Sequence, residues 1–159
     1  MIDAIDERIL GLLQRDGRIS NAEIARTVEM APSAVLERVR KLEERGVIKG
    51  YLARLCPQAV GKGLLAFVLV RTDSGSWQAE TATRLAEFPD IQEVHHIAGE
   101  DCFLVKIRTR DTSTLGALLR DRVATLPNVR STRTTIVLDT VKETLEIDLA
   151  DLATKESNR

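Results

Sequence analysis

Ile2, Ile5, Ile9, Leu12 and Leu13 recur at spacings of three and four, which predicts an amphipathic helix over residues 2–13. Asp3, Asp6 and Glu7 sit in its first turn, where the helix dipole favours negative charge. Asp16-Gly17 is expected to end it, with the glycine in a left-handed position. Ser20 followed by Glu23 reads as a capping box opening a short second helix that buries Ala22, Ile24, Ala25 and Val28 and stops near Glu29-Met30. Pro32 suits the first turn of a third helix, with Val35, Val39 and Leu42 as its buried stripe and Gly46 as its stop. Residues 47–53 then read as a short β ribbon, or wing.

Residues 54–63 contain Pro57, Gly61 and Gly63 and mark a linker. Beyond it the period changes. Residues 64–72 form a continuous apolar run, a buried strand. A helix over 76–88 carries Trp77, Thr81, Leu85 and Phe88 on one side, and Pro89-Asp90 breaks it. Strands follow at 91–97 and 102–109 around a tight Gly99-Glu100-Asp101 turn, with Phe103, Val105 and Ile107 alternating onto one face. A helix over 112–126, carrying Leu115, Leu118, Leu119 and Val123, and a long strand over 129–141 complete the series. The order β-α-β-β-α-β is the split βαβ, ferredoxin-like arrangement. The expected fold class is therefore α+β: a three-helix unit with a β wing at residues 1–53, a linker at 54–63, a ferredoxin-like domain at 64–145 and a C-terminal tail at 146–159.

Charge changes this picture locally rather than globally. The chain of 159 residues carries a net charge of −1, which gives no general affinity for nucleic acid. Residues 38–54, however, hold six basic side chains (Arg38, Arg40, Lys41, Arg45, Lys49, Arg54) against Glu43 and Glu44. A short second helix, a tight turn and a basic amphipathic third helix make a helix-turn-helix pattern. Burying Val35, Val39 and Leu42 is expected to leave Ser33, Ala34, Glu37, Arg38 and Lys41 on the opposite face, able to enter a major groove. Arg38 would offer its fork to guanine and Glu37 would accept from cytosine. Lys41, Lys49 and Arg18 would meet phosphates, which position rather than specify. On periodicity alone, a solvated face of an ordinary helical bundle explains the same residues.

The stretches Ile2-Asp3-Ala4-Ile5-Asp6-Glu7-Arg8-Ile9-Leu10, Leu13 to Ala25, and Arg38-Val39-Arg40-Lys41-Leu42-Glu43-Glu44-Arg45-Gly46-Val47-Ile48-Lys49-Gly50-Tyr51 closely resemble the Lrp/AsnC family of transcription regulators. The likeness continues through Gly99-Glu100 and Thr134-Thr135-Ile136-Val137-Leu138 and covers essentially the whole chain. The resemblance implies a winged helix-turn-helix that binds double-stranded DNA, and a regulatory domain that pairs through its sheet into homodimers assembling to octamers or larger. It also implies a small-molecule effector, usually an amino acid, held between regulatory domains. Two positions depart from the family pattern. Ala31 stands where a capping Ser is common, and Gly99-Glu100-Asp101-Cys102-Phe103 replaces a Gly-x-x-Asp-Tyr turn.

An amino-acid ligand needs donors for its carboxylate, acids for its ammonium and a pocket for its side chain. Gly99 can offer bare backbone N–H groups. Glu100 and Asp101 supply acid, Ile97 and Ile136 apolar wall, and Thr134 and Thr135 hydroxyls. A plain hairpin turn is the bland alternative for Gly99-Glu100-Asp101. No cofactor or metal is expected. Cys56 and Cys102 lie outside any metal-ligand spacing, and the adjacent His95 and His96 point to opposite faces of a strand. No hydrolase, phosphate-loop or zinc-protease motif is present, so the chain does not read as an enzyme. It has no signal sequence and no apolar run of roughly 20 residues, so a cytoplasmic protein without membrane contact is expected. Two other functions fit the residues: an architectural DNA-binding protein without effector, and a metabolite-binding regulatory module acting on a protein partner.

Overall fold

The structure is a computed structural model describing residues 2–73, 78–99 and 102–150. It divides into two compact units, Met1–Arg54 with Lys142–Arg159, and Leu55–Val141.

The first unit holds α1 (Ala4–Arg15), α2 (Asn21–Val28) and α3 (Pro32–Glu44). Asp3 caps α1 in a full capping box: its carboxylate accepts from the Asp6 N–H, and Asp6 reaches back to the Asp3 N–H. Ser20 caps α2 by accepting from the Glu23 N–H, but its hydroxyl donates to the Glu23 carboxylate, so that side chain does not return to the backbone. Ala31 caps α3 with no side-chain bond, and Pro32 at the first position removes one N–H that would need a partner. Ile9, Ile24, Ala25, Val28, Val35 and Val39 form the core, with Ile5, Leu12, Leu13, Ile19, Met30 and Ile48 packed around it. Leu42 is also buried, whereas Ala22, expected inside, is exposed. The left-handed stops fall at Glu29 (φ 59°) and Gly46 (φ 68°), not at Gly17. Asp16 closes α1 in an extended conformation instead.

Residues 47–53 form no strand. A ribbon needs a second strand as hydrogen-bond partner, and none lies beside this segment among the described residues. It is held by side chains: the Tyr51 hydroxyl donates to Glu43 Oε1 at 3.0 Å. Residues 142–150 group with the first compact unit. Arg54 donates to the Glu143 carbonyl at 2.6 Å, and the Gln14 amide makes a two-way bond with the Ile147 backbone, accepting at 2.7 Å and donating at 3.0 Å. A backbone cannot leave its polar groups unpaired against protein, and the α1 side chain satisfies them.

The second unit carries β1 (Leu64–Thr72), α4 (Gln78–Ala86), β2 (Ile91–His96), β3 (Phe103–Thr109), α5 (Thr112–Leu118) and β4 (Val129–Ile136). The antiparallel sheet has order β2-β3-β1-β4, the ferredoxin-like topology. Ala66, Val68 and Val70 of β1 and Phe103, Val105 and Ile107 of β3 point to one face and pack with Leu85, Leu115 and Val123 from the helices. Phe67, Leu69, Leu104 and Lys106 alternate onto the other face, which no helix covers among the described residues.

The ends of α5 and of the last strand differ from expectation. α5 opens into a π-helical turn at Leu119–Val123, where the Ala124 N–H bonds to the Leu119 carbonyl at 2.8 Å. The last strand ends at Ile136 rather than 141, because its partner β1 begins at Leu64 and the ladder closes with the Val137 N–H on the Leu65 carbonyl. α4 starts at Gln78, and Trp77 lies outside the described residues.

Candidate nucleic-acid interface and effector strands

The α2–turn–α3 pair presents α3 with its apolar stripe Val35, Val39 and Leu42 turned inward. Successive residues rotate by about 100° around a helix. By that step Arg38 falls within about 70° of the buried direction, and the structure shows the consequence. Its Nη1 donates to Asp3 Oδ2 at 2.7 Å and Asp6 Oδ1 at 2.6 Å, in the capping box of α1. Arg38 is not free on the outer face as expected; it is half-buried and bound to a neighbouring helix. Burial pushes the Asp3 carboxyl up, but the Asp6 N–H and the Arg38 guanidinium outweigh it and hold the group below its ordinary value.

Ser33 and Glu37 are exposed on α3, Lys41 is exposed with its Nζ 3.4 Å from Glu37 Oε1, and Ala34 is half-buried at the flank. Lys49 and Arg18 are exposed in the segments on either side; the Arg18 N–H donates to Asp16 Oδ1. Two exposed residues of the same face were missed in the sequence. Leu36 is 55% exposed, and Arg40 stands between Glu37 and Glu44. The 100° step along α3 turns both away from the buried stripe. Tyr51 lies over Gly17 and reaches Glu43 on α3; burial first, then the Glu43 carboxylate, pushes its phenol up to about 12.

In the second unit Ile97 and Cys102 close the β2–β3 hairpin, the Ile97 N–H bonding the Cys102 carbonyl at 2.9 Å. Gly99 follows with φ 128°, a conformation side chains rarely adopt, and the position is open. Glu100 and Asp101 lie outside the described residues. Thr134, Thr135 and Ile136 are exposed on β4. These two groups occupy opposite edges of the sheet: Thr134 pairs with Val68, Val68 with Val105, and Val105 with Val94. Three inter-strand spacings, about 14 Å, separate β4 from β2. Among the described residues, one chain does not bring Ile97 and Gly99 together with Thr134, Thr135 and Ile136.

The histidines divide as expected. His96 packs on Phe103 with ring centroids 5.3 Å apart, while His95 meets Glu93 at 3.1 Å on the other face. His95 first, then Lys106, holds the Glu93 carboxyl below its usual range. Among the described residues no group of three metal-ligating side chains occurs, the Cys102 thiol donates to the Thr72 carbonyl, and no helix is long and apolar enough to cross a membrane.

A helix-turn-helix unit joined to a ferredoxin-like unit with open edge strands defines a DNA-binding regulator with a sensory domain. Residues 2–49 match the winged helix-turn-helix DNA-binding model, and residues 65–147 match the Lrp/AsnC ligand binding domain. The HTH-type transcriptional regulator FL11 of Pyrococcus horikoshii is 41% identical over 148 residues, covering 93% of this chain and 97% of the relative. The leucine-responsive regulatory protein of Escherichia coli is 40% identical over 144 residues, covering 89% and 88%. A transcriptional regulator from Neisseria meningitidis, solved as its L-Met complex, superposes with a TM-score of 0.90 at 28% identity over 96% of this chain and 99% of that one. The chain belongs to the Lrp/AsnC family of transcriptional regulators.

Proposed function

We propose that this regulator reads double-stranded DNA as a homodimer or larger even assembly in the cytoplasm, and that an amino acid bound between regulatory units tunes its binding. Ser33, Glu37 and Lys41 face the groove, with Ala34 at the flank, and Lys49 and Arg18 meet phosphates. Arg38 serves as a positioning residue, fixing α3 to the start of α1 rather than touching a base. The observation that carries this reading is the exposed polar stripe of α3 beside a fully buried apolar stripe. It is the arrangement a groove-entering helix needs.

The effector half of the proposal is supported by the separation of Gly99 from Thr134, Thr135 and Ile136. If both groups touch one ligand, they come from different copies. Glu100 and Asp101 stay in the proposed set for the ligand ammonium. The L-Met complex of the Neisseria relative favours an amino acid as the ligand class. The open sheet face with Phe67, Leu69 and Leu104 is the surface proposed for dimer pairing.

Fluorescence anisotropy on the upstream region of the protein's own gene, titrated with salt, tests the DNA half. Log affinity should fall linearly with log salt, and absence of binding at low salt would end the proposal. A panel of amino acids, followed by thermal shift and light scattering, tests the sensor. A flat panel favours an architectural DNA-binding protein instead.

A further inference from the structure

Arg40 is the side chain on the exposed face of α3 whose geometry is most restricted, and no role has yet been given to it. Its guanidinium is gripped from two sides. Nε and Nη2 make a side-on pair with Glu37, at 3.2 Å to Oε2 and 3.1 Å to Oε1. Nη1 donates to Glu44 Oε1 at 2.6 Å. Glu37 lies one turn before Arg40 and Glu44 one turn after, so both carboxylates share its face. A guanidinium has five N–H donors. These three contacts leave one hydrogen on each terminal nitrogen without a partner among the described residues.

We infer that Arg40, buttressed by Glu37 and Glu44, is the guanine-reading side chain of this protein, presenting Nη1 and Nη2 end-on to O6 and N7 in the major groove. The inference rests on the DNA-reading proposal above and adds the residue and the base. Three features carry it. Arg40 lies about 130° from the buried direction of α3, so it faces away from the core. Arg38, the competing arginine, lies nearer the buried direction and is tied through Nη1 to Asp3 and Asp6. The charge balance also argues for a base and against a phosphate. Glu37, Arg40, Lys41 and Glu44 sum to zero on this face, which gives no attraction for a phosphate backbone. A fork whose sides are already held loses little freedom on binding, and that suits recognition of a planar edge. Glu37 and Glu44 then act as positioning residues, since they touch the arginine and not the base.

The test uses the intact protein. A duplex operator is enriched from random sequence, and each guanine is replaced singly by 7-deazaguanine, which lacks the N7 acceptor. At one guanine per half-site the unaltered protein should lose roughly five- to hundred-fold in affinity. Arg40→Ala should lose no more than about two-fold further at that base, while its salt slope stays unchanged because no phosphate contact is removed. Arg40→Lys keeps the charge but not the fork and should behave like the alanine variant at that guanine. Glu37→Gln should reduce the preference for guanine over 7-deazaguanine. An alanine variant that keeps full discrimination at every guanine overturns the assignment. So does one that weakens evenly on all sequences with a salt slope about one unit smaller, the mark of a phosphate contact. Failure of the unaltered protein to bind any duplex at low salt is a different result and removes the DNA-reading proposal itself. Arg40 is exposed, so a thermal melt of each variant should match the parent within a few degrees.

Discussion

Arg38→Ala separates a structural role from a base-reading one. The substitution removes two charge-assisted hydrogen bonds that converge on a single nitrogen. The two arms differ in worth. The Asp3 side chain is 44% exposed, and an exposed pair of this kind contributes about 0.5 kcal/mol. The Asp6 side chain is 9% exposed, so losing Arg38 strands a largely buried carboxylate. Removing the partner of a fully buried charge costs about 3–5 kcal/mol. Arg38 itself keeps 28% exposure, so water enters the vacated space and the cost falls to about 2 kcal/mol. The sum is about 2–3 kcal/mol, and for a unit this small each kcal/mol lowers Tm by about 4–8 °C. Circular dichroism at 222 nm should therefore show the helical unit melting about 10–20 °C earlier. Binding to DNA at 10 °C, where the variant is still folded, should change by less than three-fold. A double-mutant cycle with Asp6→Ala should return a coupling of at least about 1 kcal/mol. Because both carboxylates meet one nitrogen, Arg38→Lys should restore part of the stability. An Arg38→Ala protein with an unchanged melt and a ten-fold loss of DNA affinity would refute this assignment and return Arg38 to the groove.

Tyr51 is the sole tyrosine, so absorbance at 295 nm reads its ionisation directly. The midpoint should lie near 12, and Glu43→Ala should bring it down towards 10. Because the folded value is raised, the contact stabilises the protein below about pH 10 and is lost as pH rises towards 12. Asp111 caps α5, accepting from the Thr114 N–H and hydroxyl, and the first of these chiefly holds its carboxyl down to about 2. A depressed carboxylate stabilises above its unfolded value near 4. This contribution should fade between about pH 4 and pH 2, and Asp111→Asn should flatten the fall in urea midpoint over that window. Glu29 ends α2 in the left-handed region, which costs a non-glycine side chain about 1–2 kcal/mol. Glu29→Gly should raise the urea midpoint by the equivalent of about 0.5–1 kcal/mol; a lower midpoint would show that the Glu29 side chain makes a contribution larger than its backbone strain.

The sequence made the elements legible wherever one local rule decided them. The Val35, Val39 and Leu42 stripe, the Ser20 cap and the alternation of Phe103, Val105 and Ile107 all follow from periodicity and capping chemistry, and all appear in the structure. The differences came where a distant partner decided. Arg38 reads as free on the outer face because it is basic and near that face. Its capture by Asp3 and Asp6, 35 and 32 residues away, is a tertiary fact. The last strand was read as running to 141 because Val137, Leu138 and Val141 continue the pattern, but ladder length is set by β1. The tail at 146–159 carries no local signal that says what it packs on. The backbone bonds of Glu143 to Arg54 and of Ile147 to Gln14 depend on side chains far away in the chain.

The effector site was the least legible part, and the sheet explains why. Family likeness brought Gly99 and Thr134 to Ile136 into one set, yet strand order puts them on opposite edges, with β3 and β1 between. Residues that met only across copies would leave no mark in the spacing of one chain. A site shared between copies, as proposed above, would give the ligand a means of control. A molecule that touches two copies is bound more tightly when those copies are apposed, so its binding and their assembly must favour each other. Ligand should therefore shift the assembly equilibrium at a fixed protein concentration, and dilution should weaken apparent ligand affinity. Calorimetric titration at two protein concentrations tenfold apart, with light scattering on the same samples, measures both. Equal affinity at the two concentrations, with a clear change of assembly between them, would mean that one copy suffices and that Thr134, Thr135 and Ile136 do not share a ligand with Gly99.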